Sequence, residues 1–173
     1  MTMTTTSGSL VQLADYSMIA VDSPENPEPS EESILFANGL VRSNPSGGAL
    51  IATGCYMGPV HVVWATGDRP AEAQLDEWED VVQVRLRPHH GELVIRGFME
   101  SGDDGNSPNL ALAPEAPHML RCSSRGRDRD VGAATETATE EFLIEVWLAT
   151  PDDTDAVLKL SSDYGAQLAA SAQ

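Results

Sequence analysis

The chain has 173 residues and carries 27 Asp and Glu against 10 Lys and Arg, a formal charge of −17. That length fits one domain and falls short of two ordinary ones, while a hydrophobic fraction of 41% suffices to build a core. The composition excludes a nucleic-acid-binding surface, because so acidic a chain is repelled by phosphate; it excludes a membrane-spanning helix for want of an apolar run of about 18–20 residues; and two cysteines make neither a disulfide framework nor a four-cysteine zinc site.

Residues 1–8 are polar and Thr-rich, with no basic n-region and no apolar h-region, so they read as a flexible tail and the chain as cytoplasmic. Cys55 and Cys122 are then expected as reduced, buried thiols. Leu10 to Val21 reads as one long strand with room for a bulge where Asp15 interrupts the alternation. Three prolines, Pro24, Pro27 and Pro29, make the next segment a loop. Ser30 to Ala37 has the N-cap and acidic first turn of a helical turn, and Asn38-Gly39 turns the chain. Ala49–Thr53 and Val60–Thr66 read as strands around a turn at Cys55–Pro59. Glu72 to Asp80 is strongly acidic.

Val82, Val84 and Leu86, a loop at Pro88–Gly91, and then Leu93 and Ile95 predict a hairpin. In it Arg87 pairs with Glu92, Leu86 faces Leu93, and Val84 faces Ile95. A long turn follows over 101–108, and a short strand over Asn109–Leu112. His118 to Ser123 is the next strand, left by a charged loop at Arg125–Asp130. Glu140 to Leu148 is the last strong strand, with Phe142, Ile144, Val146 and Leu148 on one face. Val157 to Leu160 fits a strand or a helix equally. The end, 165–173, reads as a tail or a frayed helical turn. Seven to nine short strands with no long helical pattern predict an all-β fold, a sandwich or open barrel. The sandwich is the reading adopted here: one mainly antiparallel domain over 9–164.

No residue presents a catalytic signature. His89-His90 sits on a turn without a third ligand, and His61 and His118 fall on strands as core or edge residues. Asp103-Asp104-Gly105-Asn106 lacks the alternating acids and distal Glu of a calcium loop. No nucleophile elbow, P-loop or dinucleotide fingerprint occurs. No metal or cofactor is expected. The distinctive feature is the acid. Three stretches, 22–32, 68–80 and 136–155, contain one base between them, Arg69. Acid serves solubility, and it also complements a basic protein partner. Within Asp76-Glu77-Trp78-Glu79-Asp80 an aromatic is ringed by acids, which marks these five residues as the candidate partner-binding site. The competing reading places Trp78 in the core at the start of a strand.

The first strand with Tyr16–Asp22, the run Trp78–Val84, the run Gly91–Gly97 and the strand Phe142–Trp147 together resemble small bacterial β-sandwich proteins of the competence protein J type. The usual Tyr-His-Gln-like step of that family stands here as Tyr16-Ser17-Met18, and no functional residue carries over. The resemblance implies an inhibitor of a DNA-entry nuclease. The function expected is therefore a non-catalytic acidic protein-binding module, an inhibitor or immunity-type partner of a basic nuclease. The alternative is a small-ligand-binding sandwich or an enzyme with a pocket between the sheets.

Overall fold

The computed structural model describes residues 3–25, 34–99 and 107–173. Its strands are β1 (Thr6–Ala14), β2 (Met18–Asp22), β3 (Val41–Ser43), β4 (Ala49–Ala52), β5 (Gly58–Gly67), β6 (Asp80–Leu86), β7 (Val94–Gly97), β8 (His118–Arg125), β9 (Glu141–Leu148) and β10 (Ala156–Leu160). A 3-10 turn spans Leu75–Glu77, and one helix, α1, spans Asp163–Ser171. The six-stranded sheet runs β1-β5-β9-β8-β6-β10 and the four-stranded sheet β3-β4-β2-β7. Every ladder is antiparallel except β5 with β9. This is the all-β, mainly antiparallel sandwich that the alternation predicts.

The period-two pattern places one face of each sheet inside. Val60, Val62, Val82, Val84, Leu120, Phe142, Ile144 and Val146 of the larger sheet meet Ile19, Val21, Ile51 and Ile95 of the smaller in one cluster. The smaller sheet is buried on its other face too. Met18, Ala20, Leu50 and Ala52 pack there against Phe36, Ile34, Phe98 and Leu168 of α1. Most of 165–173, read from sequence as a tail or frayed turn, lies in this helix. Ser162 caps it, its hydroxyl accepting from Gly165 N at 2.9 Å, and Asp128 accepts from the amides of Asp163 and Tyr164 at 2.9 and 2.8 Å.

Three expectations are corrected. Val84, Leu86, Leu93 and Ile95 are all buried, but β6 and β7 form no hairpin: β6 pairs with β8 and β10, while β7 pairs with β2. The segment between them carries the chain from one sheet to the other. The two apolar faces therefore meet across the interior, where alternation looks the same as it would on one ladder. The long first strand is two strands. Asp15 and Met18 exchange both backbone hydrogen bonds at 3.0 Å, and Tyr16 and Ser17 sit at φ 52° and 61°. That is a two-residue turn of the I′ class made without glycine, and it moves the chain between sheets. Asn109–Leu112 is not a strand. Leu110 N bonds to Leu93 O, and the Asn109 side chain caps the amides of Leu93 and Ala111. β3, unread in the sequence, is short and pairs only with β4. Ile34–Phe36 carry no helix, while 26–33 and the acidic turn at 101–106 lie outside the described residues.

Candidate protein-binding face

Residues 68–79 hold too few apolar positions to form a strand, yet they do not leave the body of the protein. They lie as a strap across the outer face of the six-stranded sheet, and cations hold them there. Arg69 pairs with Asp153 at 2.7 Å, Arg121 donates to Ala71 O at 2.9 Å, and Lys159 donates to both Leu75 O and Trp78 O at 2.7 Å. The strap explains why β8 is buried on both faces and why the outward-pointing Trp147 is only 2% exposed. The guanidinium groups of Arg69 and Arg121 stand 5.9 and 5.7 Å from its ring.

The strap leaves β1 and β5 uncovered. Between it and those strands runs a groove of about 630 Å³. Val11, Val63 and Leu143 supply apolar lining, and Trp78, His61 and the Arg125–Glu141 ion pair line the rest. Arg125 sits 5.0 Å from the Trp78 ring centre.

The five candidate residues separate here. Asp76 and Glu77 are exposed on the strap, and Trp78 beside them is half-buried. Glu79 is half-buried with its carboxylate accepting from Gly126 N at 2.9 Å. Asp80 is corrected: it is fully buried and takes no part in an outer surface. It accepts from Arg127 Nη2 at 2.5 Å, from the Ser162 hydroxyl at 2.6 Å, and from the amides of Ser161 and Ser162 at 2.9 and 3.0 Å. Burial pushes its carboxyl up, but the Arg127 charge and the Ser162 bonds outweigh that and hold it below the ordinary carboxylate value.

The acidic run at 136–155 also breaks up. Glu141 and Glu145 pair across the β8–β9 ladder with Arg125 and Arg121, Asp153 pairs with Arg69, and Glu140 is buried, accepting from Gly54 N and Cys55 N at 2.9 and 2.6 Å. Within 68–80 and 136–155, Glu72, Asp76, Glu77, Glu136, Asp152 and Asp155 stay exposed and outside any ion pair among the described residues, Asp155 accepting only from the backbone amide of Arg85. Sequence reasoning missed the cations that compensate the acids because they lie 16 to 84 positions away. The β8 pattern Arg121, Ser123, Arg125 on one parity was the available signal.

Burial and the nearby Glu140 push the Cys55 thiol to about 12, and burial pushes Cys122 up as well, so neither is a thiolate near neutral pH. His118 is buried and doubly bonded, while His61, His89 and His90 are exposed. Among the described residues no group of three or more His, Cys, Asp or Glu is placed to hold a metal ion, and no helix is long and apolar enough to cross a membrane.

No protein-family model and no curated protein matches the chain. The solved structure of ComJ from Bacillus subtilis, an inhibitor of the DNA-degrading activity of NucA, superposes on 85% of this chain and 98% of its own, with a TM-score of 0.54 at 11% identity. This chain has the ComJ fold. The resemblance read from the strand pattern therefore holds at the level of the fold. The crocagin biosynthetic gene J protein aligns over 86% of this chain and all of its own, with a TM-score of 0.49 at 13% identity.

Proposed function

We propose that this protein is a non-catalytic protein-binding module that inhibits a basic nuclease by occupying its phosphate-binding surface. The observation that carries this reading is the strap: Trp78 beside an open apolar groove, with Glu72, Asp76 and Glu77 exposed on the same segment and in no ion pair with any described residue. A half-buried aromatic next to an apolar depression is the composition of an interface anchor, and a rim of one charge steers the opposite charge toward it. The fold shared with ComJ, itself a nuclease inhibitor, supports the same class of partner. The high pKa of both thiols and the dispersal of the acids into ion pairs support a role without bond chemistry.

The test is inhibition of DNA degradation by a purified nuclease of the NucA type, together with association rates at low and high salt. Stoichiometric inhibition is expected, with association slowing as salt rises, because the Debye length shrinks from about 10 Å at 0.1 M to about 3 Å at 1 M. Glu72→Gln, Asp76→Asn and Glu77→Gln together should slow association and flatten its salt dependence. Full nuclease activity under excess protein, or an association rate indifferent to salt, overturns the reading.

A further inference from the structure

The turn between β1 and β2 holds Tyr16 and Ser17 at φ 52° and 61°, where asparagine and glycine are the usual residues. A left-handed conformation strains a residue that has a Cβ, and such strain persists only where the surroundings enforce it. Here they do. Ser17 N donates to Tyr56 O at 2.9 Å, and Ser17 O accepts from Thr53 N at 2.8 Å. Tyr16 is thereby fixed, yet its side chain is half in solvent. Its ring is 50% exposed and stands edge-to-face with that of Tyr56, itself 40% exposed, with 5.4 Å between centres. Met57 is next in sequence, and Val131 lies on the loop whose Ala133 carbonyl accepts from Tyr56 N; these two are 45% and 49% exposed. Core packing does not account for a large aromatic at this strained position. A contact surface does. Tyr and Met are enriched at interfaces, and a ring already held in place loses little freedom on binding.

Area and charge select the occupant. Eleven residues line the groove beside Trp78, about half of the roughly 20–30 a side that a stable interface engages. A partner seated there must reach further. The two strands that line the groove both stop at this turn: Ala14 pairs with Gly58, and Val11 of the groove pairs with His61 three residues away, about 10 Å along the ladder. Residues 13–18, 54–58 and 130–133 contain Asp15 and Asp130 but no Lys or Arg, so they present no charge that repels a basic partner. The faces of tyrosine rings also attract cations. We propose that Tyr16 and Tyr56 form a second anchor of the partner interface, against which a Lys or Arg side chain of the basic nuclease packs. This rests on the inhibitor reading and extends it: the strap acids draw the partner in, and the tyrosine pair holds it.

Inhibition of a purified nuclease of the NucA type, with association and dissociation rates for the full chain and its variants, tests it. Tyr16→Asn removes the ring and gives the turn a residue suited to positive φ, so the melting temperature should stay within about 4 °C of the wild type. Dissociation should nevertheless speed up about 10- to 30-fold with association nearly unchanged, the reverse of the strap-acid variants. Tyr16→Phe keeps the ring face and should bind within about threefold of the wild type. Val157→Asn, on β10 at the far edge of the sheet and as exposed as Tyr16, should leave both rates alone. A wild-type protein that does not inhibit overturns the inhibitor reading and this inference with it. Full inhibition by the wild type, matched in both rates by Tyr16→Asn, overturns this inference alone. So does a larger fall in melting temperature, which would make Tyr16 a structural residue, and so does a Tyr16→Phe or Val157→Asn variant that binds as weakly as Tyr16→Asn.

Discussion

His118 and Asp80 show how single side chains lock segments in place. His118 Nδ1 donates to Ala116 O at 2.7 Å while Nε2 accepts from Leu112 N at 2.9 Å, which ties the 112–117 loop to β8. Burial disfavours the charged ring and outweighs the bond to Ala116 O, so the pKa lies below its usual value, and a proton on Nε2 would also face the Leu112 N–H. Folded protein therefore binds this proton less readily than the unfolded chain does. The stability it contributes is complete above about pH 6.5, the ordinary value, and is lost as pH falls below it toward the depressed folded value. A melting-temperature profile should fall on that limb, and His118→Gln should flatten it. Asp80 carries the larger energy. Asp80→Asn leaves the fully buried Arg127 guanidinium, whose Nε has no hydrogen-bond partner among the described residues, without its counter-charge. A loss of roughly 3–5 kcal/mol is expected in denaturant unfolding, partly recovered when Arg127→Met is added.

At the scale of elements, the strap is a short irregular segment made rigid by groups remote in sequence. Lys159, the one lysine of the chain, closes the end of the 3-10 turn by donating to Leu75 O and Trp78 O. Lys159→Met should cost about 1 kcal/mol of local opening energy, seen as faster amide exchange at residues 75–79 with little change in global unfolding. Trp78 is half-buried against Arg125, so Trp78→Ala should lower the melting temperature modestly and act on dissociation of a bound partner more than on association. A collapse of the fold on this substitution would make Trp78 a core residue instead. The apolar runs at β6 and β7 carry a different lesson. Alternation identifies which face of a strand is buried, but it does not say whether the facing residues sit on the same ladder or on the opposite sheet.

For the whole molecule, charge is organised by layer. The interior and the sheet faces hold compensated pairs, Asp22 with Arg96, Arg121 with Glu145 and Asp80 with Arg127, whose side chains are 12% exposed or less. The surplus acid is left to loops and the strap. Salt screens the surplus repulsion far more than the buried pairs. The melting temperature should therefore rise between low and moderate ionic strength in sodium chloride. A fall would mean that the exposed pairs, Arg125–Glu141 and Arg69–Asp153, dominate the balance.

The sequence by itself determined the inward residues of β5, β6 and β8 and those of β9 up to Val146, because a period of two on a half-buried sheet leaves a local trace in the order of residues; on β1 the apolar parity of Val11 and Leu13 faces outward instead. It also determined the all-β class and the turn at Asn38-Gly39, whose chemistry is local, whereas the turn read at Cys55–Pro59 ends early, with Gly58 and Pro59 already in β5. Tertiary structure decided which strands are neighbours, since pairing partners such as β5 and β9 are joined by no short connection. It decided that Asp80 leaves the acidic cluster for the interior while Asp76 and Glu77 remain outside. It decided that acids without a nearby base find Arg69, Arg121, Arg125 and Arg127 across the sheet. Coulomb attraction and desolvation act through space, and distance along the chain does not report them.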